Sequence, residues 1–459
     1  MALNERSRKY IQLIVMTGVF MSVLDSMIVN VALPNITTYF SVNLSESQWV
    51  MTTYPLVETA LLIVFGKLAE RTGKGVMFTA GLGVFTAASL LCGIATSLPE
   101  LIVFRILQGI GASMLFSISV AISFEVSLPK DRGKMMGIIG SVVAIASMVG
   151  PPLGGFIVGS LGWQFIFFVN VPIGVVATLA AVKLMRFPEV KGKTRFDLVG
   201  AATLMLAATS LLLMVGQLAD TGTVNVLSLA WLAVFIASLW AFIYWERKTD
   251  KPLLDISIFK VRRFSLACTS MVLFFVTTTM ISILAPFYFE GVMGYSAEGV
   301  GLLLMVIPAV MMFGSPLVGR LLDKRPRPHY TMLGHAIRGI AMLILAFAFF
   351  SSNVYVAIIA FFLIGLGGSM FQSPNNMEVM SALPREQTGV ASSVTATARN
   401  LGISLGPAIG TVLLVFQVGQ DILISPSLAS AAALALVIAG IISFIGAMVA
   451  HAGHSERAA

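Results

Sequence analysis

Charged residues are scarce in this sequence and make up only 11% of its 459 positions. Because an ordinary soluble domain has roughly 25% charged residues, this composition excludes a soluble globular protein. The hydrophobic content of 57% indicates an integral membrane protein instead. Cysteine is also rare, and Cys92 and Cys268 lie in separate apolar segments in different halves of the chain. We therefore expect no disulfide framework.

Motifs for common catalytic and energy-converting chemistry are missing as well. The sequence has no glycine-rich loop of the GxxxxGKS type, which argues against ATP as an energy source. It has no metal-ligand cluster and no nucleophile constellation, so we expect no enzyme activity, no metal and no cofactor. A net charge of +8 could suggest nucleic acid. The basic residues, however, lie in short clusters between apolar segments, where they orient membrane helices, and no nucleic-acid partner is expected.

Fourteen apolar segments are long enough to cross a membrane, which takes about 20 helical residues. They run approximately from 10 to 31, 49 to 68, 76 to 96, 99 to 126, 136 to 159, 164 to 186, 197 to 217, 227 to 245, 264 to 289, 298 to 321, 329 to 350, 353 to 378, 389 to 418 and 427 to 449. Connections that contain Lys and Arg alternate with connections that contain neither. Because basic loops stay on the cytoplasmic side, we expect both termini to be cytoplasmic.

The chain repeats itself at an offset of about 255 residues. Four matches occur in the same order in both copies: Gly66 to Arg71 with Gly319 to Lys324, Gly109 to Met114 with Gly365 to Met370, Leu128-Pro129 with Leu383-Pro384, and Gly150-Pro151 with Gly406-Pro407. Parallel six-helix repeats around a central cavity are typical of transporters with alternating access. In such proteins the substrate site lies near mid-membrane between the two repeats.

The repeat divides the chain into three parts. We predict an N-terminal six-helix bundle in residues 1–190 and a C-terminal six-helix bundle with a tail in residues 251–459. Residues 191–250 contain two helices that have no counterpart in the repeat, and we interpret them as an insertion. The predicted fold is an all-α integral membrane protein with 14 transmembrane helices, in two pseudo-symmetric bundles plus two inserted helices. A monomer is expected.

Asp25 lies inside the apolar segment MSVLDSMIVNVALP. Ionisable residues at membrane depth mark ion, proton or substrate pathways. Asp25 lies 15 residues from Tyr10, about 22 Å along its helix, and Arg105 lies six residues from position 99, about 9 Å from the outer end of its helix. The two side chains are therefore at nearly the same depth. We expect Arg105 to pair with ionised Asp25 and to release it on protonation; the alternative is a permanent structural pair.

Glu58 is a second acid, near the centre of the second predicted helix. We interpret it as a second proton carrier or as the contact for a cationic substrate; the alternative is a pore-lining acid hydrogen-bonded to Thr or Tyr. Other polar side chains at membrane depth either line a cavity or make interhelical hydrogen bonds. The candidate substrate-binding residues are Asp25, Glu58, Tyr54, Gln372, Asn375, Asn376 and Arg399.

Several segments together resemble the major facilitator superfamily, and in particular its fourteen-helix drug:proton antiporter branch. They are LDSMIVNVALP, GKLAERTGKG, LIVFRILQGIGAS and WQFIFFVNVPIG, with a glycine and proline pattern in the fifth helix. Glu70 stands where the loop motif usually has aspartate. The resemblance implies gating roles for Gly66, Glu70, Arg71, Gly73, Lys74, Gly150, Pro151 and Gly154. It also implies a location in a prokaryotic inner membrane.

The function predicted from these observations is proton-coupled antiport. The protein would export amphiphilic or cationic small molecules by alternating access and would use the proton gradient as its energy source. Its partners would be these substrates, protons and the lipid bilayer. The alternative is a lipid or amphiphile exporter of the same fold, which would favour a laterally open, more apolar cavity with little dependence on Glu58.

Overall fold

The computed structural model describes residues 4–42, 44–185, 187, 197–221, 223–249, 252–324, 329–418 and 427–453. Within these ranges the regular secondary structure is entirely helical. The α-helices are α1 (Glu5–Phe40), α2 (Leu44–Thr72), α3 (Lys74–Gly93), α4 (Leu98–Val126), α5 (Arg132–Leu161), α6 (Phe165–Phe168), α7 (Asn170–Leu184), α8 (Leu198–Thr221), α9 (Val226–Lys248), α10 (Arg262–Gly291), α11 (Ala297–Leu304), α12 (Val306–Lys324), α13 (Tyr330–Ser351), α14 (Val354–Ala382), α15 (Thr388–Val418) and α16 (Leu428–Ala452).

Fourteen helical segments in the described part of the chain are long and apolar enough to cross a membrane. Two of these spans contain two helices each, α6 with α7 and α11 with α12. The predicted all-α fold with fourteen spans is therefore confirmed. The predicted domain boundaries at 190/191 and 250/251 lie outside the described residues, and the three-part division stays a prediction.

The first helix extends well beyond the segment predicted for it. The prediction ends at residue 31, whereas α1 continues through Pro34 to Phe40. Proline removes one backbone donor from a helix. Beyond it, the hydroxyls of Thr37 and Thr38 bind the carbonyls of Leu33 and Pro34 at 2.8 and 2.9 Å and remove polar groups from the apolar environment. The sequence pattern missed this turn because threonine and proline are usual signs of a helix end.

The inserted helices α8 and α9 pack against each other, and α8 also lies against α2 and α15. The two repeats meet mainly where α5 packs against α12 and where α2 packs against α15. Glycines allow these close approaches. A methyl group on Gly66 would lie 2.4 Å from Ser393 Oγ, and one on Gly319 would lie 2.3 Å from the Gly133 carbonyl oxygen. Small residues at such crossings let the backbones of membrane helices touch.

Candidate functional site

Asp25 is the acceptor at the centre of a buried hydrogen-bond network in the first repeat. Its side chain is only 1% exposed. Oδ2 accepts from Arg105 Nη1 at 2.5 Å, and Oδ1 accepts from Gln108 Nε2 at 2.8 Å and from Asn170 Nδ2 at 3.0 Å. The pairing expected from helix depth is therefore present. Three donors around one carboxylate offset much of the cost of holding a charge away from water.

Arg105 is fully enclosed by this network and by two other helices. Its Nε donates to the Val50 carbonyl of α2 at 2.9 Å, and Nη1 donates to Gln108 Oε1 at 2.7 Å. The guanidinium carbon lies 4.4 Å from the centre of the Tyr54 ring and 5.8 Å from that of Phe167. Aromatic faces stabilise a cation in this position. The buried charge of Arg105 thus has a counterion, hydrogen-bond acceptors and aromatic neighbours.

Tyr54 and Glu58 lie one turn apart on α2, between this network and the second repeat. Tyr54 donates its hydroxyl to the Ser22 carbonyl at 3.2 Å and is only 1% exposed. Glu58 is also buried, and its Oε1 accepts from Asn400 Nδ2 of α15 at 3.4 Å. Asn400 also donates to Thr59 at 3.0 Å. Glu58 is therefore the acid of the first repeat that contacts the second repeat at mid-helix.

A small cavity of about 30 Å³ lies between the two repeats. Its lining residues come from both repeats: Val19, Phe116, Ser119, Val120, Ile139, Met271, Phe275, Gln372, Asn376, Thr395, Ala396 and Arg399. Arg399 is the one charged residue among them. Of the predicted substrate contacts, Gln372, Asn376 and Arg399 line this cavity, whereas Tyr54 and Asp25 lie in the network of the first repeat.

Asn375 occupies a different environment from its neighbours on α14. Its side chain is fully buried, and within the described structure neither its amide nitrogen nor its amide oxygen has a hydrogen-bond partner. A buried amide without partners is costly. The structure therefore separates Asn375, which is packed inside the bundle, from Gln372 and Asn376, which reach the cavity.

The residues of the predicted gating loop join the two repeats. We call the end of the molecule where α2, α4, α12 and α14 finish the basic end. There, Glu70 Oε1 accepts from the Val390 backbone nitrogen of α15 at 3.1 Å. Lys74, which is buried, binds Glu125 Oε1 at 2.6 Å, and Glu125 also accepts from the Thr388 hydroxyl. These contacts link α2, α3 and α4 to the start of α15.

Two other residues of the loop differ in their surroundings. Arg71 is exposed at the end of α2. Gly73 precedes α3 with a φ of 110°, a backbone conformation that side chains other than glycine rarely adopt. The glycine therefore permits the sharp turn that brings Lys74 to Glu125.

The second repeat makes the matching contact in the opposite direction. Asp323 is the repeat counterpart of Glu70 (323 − 70 = 253). Its two oxygens accept from the backbone nitrogens of Gly133 and Lys134, at the start of α5, at 2.7 Å each. Carboxylates are favoured at helix N-termini because the first backbone N–H groups lack partners within the helix. Each repeat thus supplies a carboxylate to a helix start in the other, and the basic end is closed.

The glycine and proline pattern of α5 has a packing role in this structure. The helix continues from Arg132 to Leu161 through Pro151 and Pro152. A methyl group on Gly150 would lie 2.6 Å from Met27 Cβ, and one on Gly154 would lie 3.3 Å from the Ile28 carbonyl oxygen. Both glycines therefore let α5 lie close against α1, the helix that holds Asp25.

Sequence reasoning did not select three partners that the structure places in these networks. Gln108 and Asn170 donate to Asp25, and Asn400 donates to Glu58. The available signal was an amide side chain inside an apolar span, a position where interhelical hydrogen bonds are frequent. Among the described residues no group of three His, Cys, Asp or Glu side chains is placed to hold a metal.

Comparison with known proteins identifies the family. The sequence profile of the Major Facilitator Superfamily matches residues 15–407. The chain belongs to this superfamily. This member is 34% identical to the riboflavin transporter RibZ of Clostridioides difficile (strain 630). The alignment spans 403 residues and covers 87% of this chain and 87% of RibZ. It is 30% identical over 414 residues to the multidrug export protein EmrB of Escherichia coli (strain K12), over 88% of this chain and 80% of EmrB.

A solved structure shows the same fold. The superfamily's proton:xylose symporter XylE, bound to 6-bromo-6-deoxy-D-glucose, superposes with a TM-score of 0.64 at 14% identity, over 97% of this chain and 95% of XylE. The protein is therefore a multi-pass membrane transporter of the major facilitator superfamily. Its fourteen spans and its multidrug relatives place it with the fourteen-helix branch that the sequence motifs resemble.

Proposed function

We propose that this transporter is a proton-coupled antiporter that exports small amphiphilic molecules by alternating access. The observation that supports it most directly is the buried Asp25, which Arg105, Gln108 and Asn170 hold at membrane depth. An ionisable group sealed in such a position is the kind of residue that relays protons in transporters. RibZ is named as a riboflavin transporter and EmrB as a multidrug export protein, which supports small organic molecules as the cargo.

The hydrogen bonds around Asp25 suit its ionised form. Every side chain that meets the carboxylate in this structure donates to it. A protonated Asp25 carries an O–H that needs an acceptor. Asn170 Oδ1 is buried and has no hydrogen-bond partner among the described residues, so a turn of that amide would present the acceptor. Proton binding would thus loosen the contact with Arg105 and favour a second arrangement of helices α1, α4 and α7.

Alternation requires the basic end to open. In the present conformation Glu70 binds the start of α15 and Asp323 binds the start of α5, so both repeats hold this end closed. If the basic loops face the cytoplasm, as the charge pattern predicts, this is a conformation closed to the cytoplasm. The proposal places both termini on that side of a prokaryotic inner membrane.

The test is a transport measurement in liposomes with an imposed pH gradient. We expect Asp25→Asn to abolish gradient-driven uptake of a fluorescent amphiphile while exchange of labelled for unlabelled substrate continues. The matched control is Glu290→Gln, which removes an exposed acid at the end of α10. If Asp25→Asn left gradient-driven transport intact, the role of Asp25 in proton coupling would be rejected.

A further inference from the structure

The cavity between the repeats carries positive charge and no lining acid. We propose that it binds substrates with an anionic group, a carboxylate or a phosphate on an apolar body, and that Arg399 binds this group. The inference rests on the proposed function in one respect, since it takes this cavity as the substrate site. The proposed preference for anionic substrates differs from the preference for cations that was expected from Glu58.

The lining defines the chemistry of the ligand. One part is apolar and includes Phe116, Met271 and Phe275, which suit an aromatic or aliphatic body. The polar groups are Arg399, the amides of Gln372 and Asn376, and two hydroxyls. In this conformation the cavity volume is about 30 Å³, room for one or two water molecules, so a ligand with an apolar body enters only when the repeats move apart. An amphiphile with one compact polar end fits this division.

Arg399 lacks the partners that a membrane-embedded arginine needs. Among the described residues, no carboxylate lies within 4.0 Å of its guanidinium, and its buried Nε has no hydrogen-bond partner. The guanidinium carbon lies 4.5 Å from the centre of the Phe116 ring. A cation–π contact contributes about 0.5–2 kcal/mol and supplies no acceptor for the N–H groups. The site is therefore ready for an anionic acceptor.

Glu58 sets the balance of charge at this site. Its negative charge acts on Arg399, although its carboxylate binds Asn400 rather than the guanidinium. It is buried and is not among the lining residues, so a ligand in the cavity meets Arg399 first. A cationic ligand would be repelled by Arg399, whereas an anionic ligand would be attracted to its guanidinium. The arrangement thus favours substrates of negative charge.

Binding to the purified transporter in neutral-lipid nanodiscs tests the proposal without any proton gradient. The probes share one naphthyl body and differ in the head group: a carboxylate, a neutral carboxamide and a trimethylammonium. We expect the carboxylate to bind about tenfold more tightly than the carboxamide, in line with a charge-assisted hydrogen bond, and the trimethylammonium to bind most weakly. Arg399→Gln should remove the preference, and Arg399→Lys should retain part of it.

Lys183→Gln is the matched control, because it removes one positive charge from an exposed position on α7. It should keep the carboxylate preference. Equal affinities for the three probes in the wild type, or a preference that survives in correctly folded Arg399→Gln, would overturn the proposal. Because no gradient is applied, this failure is distinct from loss of proton-driven transport, which would reject the antiport mechanism and not the anion site.

A lipid head group is the other possible source of the same chemistry. Nanodiscs that contain phosphatidylglycerol test this source directly. We expect carboxylate affinity to change by less than twofold between neutral and anionic nanodiscs. Strong competition by phosphatidylglycerol that disappears in Arg399→Gln would overturn the assignment to small molecules in favour of a lipid ligand.

Discussion

Two intramembrane arginines, Arg105 and Arg399, differ in almost every contact they make. Arg105 lies within one repeat and binds a carboxylate, an amide oxygen and a backbone carbonyl. Arg399 lies at the interface between repeats and faces a cavity, with an aromatic ring beside it, and its Nε has no partner in the described part of the chain. A buried charge whose partners are all protein groups has no need of a ligand, whereas one that is incompletely paired can still bind an anionic ligand.

This contrast places the proposed proton site and the proposed substrate site in different parts of the molecule. The proton-binding candidate is enclosed by α1, α2, α4, α6 and α7, all of which belong to the first repeat. The substrate-binding candidate is formed only when helices of both repeats come together. Communication between them would pass along α2, where Tyr54 lies against Arg105 and Glu58 contacts Asn400.

The largest effect that the comparison predicts is on stability. Asp25→Asn should lower the free energy of unfolding by about 3–5 kcal/mol, because it leaves the Arg105 charge buried without its counterion. Arg399→Gln should cost less, since no direct ion pair is broken. Denaturant unfolding in detergent measures both. The double variant Asp25→Asn/Arg105→Gln should recover part of the loss, and an equal cost for Arg399→Gln would contradict the contrast between the two sites.

The second prediction concerns the interface on which the cavity depends. Gly66→Val should reduce binding of the naphthyl carboxylate at least tenfold, because its side chain meets Ser393 and prevents α2 from approaching α15. The control is Gly159→Val, at an exposed position with no heavy atom within 4 Å of the added carbon. Asp25 and Arg105 lie in one repeat, so their contact should survive. Normal binding in Gly66→Val would show that the cavity does not require this closure.

A third, moderate effect is expected from the two carboxylates at the basic end. Asp323→Asn should open this end more than Glu70→Gln, because Asp323 accepts two backbone N–H groups at 2.7 Å and Glu70 accepts one at 3.1 Å. We expect a change of roughly tenfold in the closed-to-open ratio for Asp323→Asn, as for loss of one charge-assisted hydrogen bond. Distances between spin labels on α2 and α15 measure the ratio. The opposite order of effects would argue against these bonds as the determinants of closure.

The smallest predicted effect is at Glu58. Glu58→Gln keeps an oxygen for Asn400 but removes the negative charge near Arg399. Binding of the naphthyl carboxylate should therefore become about two- to fivefold tighter, a modest change because the two charges interact without direct contact. Direct titration in neutral nanodiscs measures it. Weaker carboxylate binding in this variant would show that Glu58 contributes to the ligand site in another way.

That Asp25 and Arg105 lie at the same depth, where they could pair, could be predicted from the sequence. A residue count and the rise per residue were sufficient. The contact of Glu58 with Asn400 could not, since it depends on how α2 and α15 rotate against each other across the repeat interface. Glu58 consequently had several interpretations, and Arg399 had no assigned partner. Single-sequence patterns give the depth of a side chain but not the neighbour that it faces.

The repeat is a second case in which the sequence was informative only in part. It related GKLAER to GRLLDK, but the target of each carboxylate is a backbone nitrogen, and backbone groups are present at every position. Only the structure shows that Glu70 and Asp323 bind equivalent helix starts, since Val390 is the counterpart of Lys134 (390 − 134 = 256).

That reciprocal arrangement has a consequence for the evolution of the protein. Each repeat has both the carboxylate and the helix N-terminus that such a carboxylate binds. Two copies of one ancestral unit would therefore already have formed both hydrogen-bonded contacts. A substitution in the ancestor that strengthened this hydrogen bond would have strengthened both contacts at once. After duplication, the contacts of Glu70 and Asp323 could diverge in strength, in line with the shorter hydrogen bonds of Asp323. The ease with which the basic end opens could then change through substitution in one contact at a time.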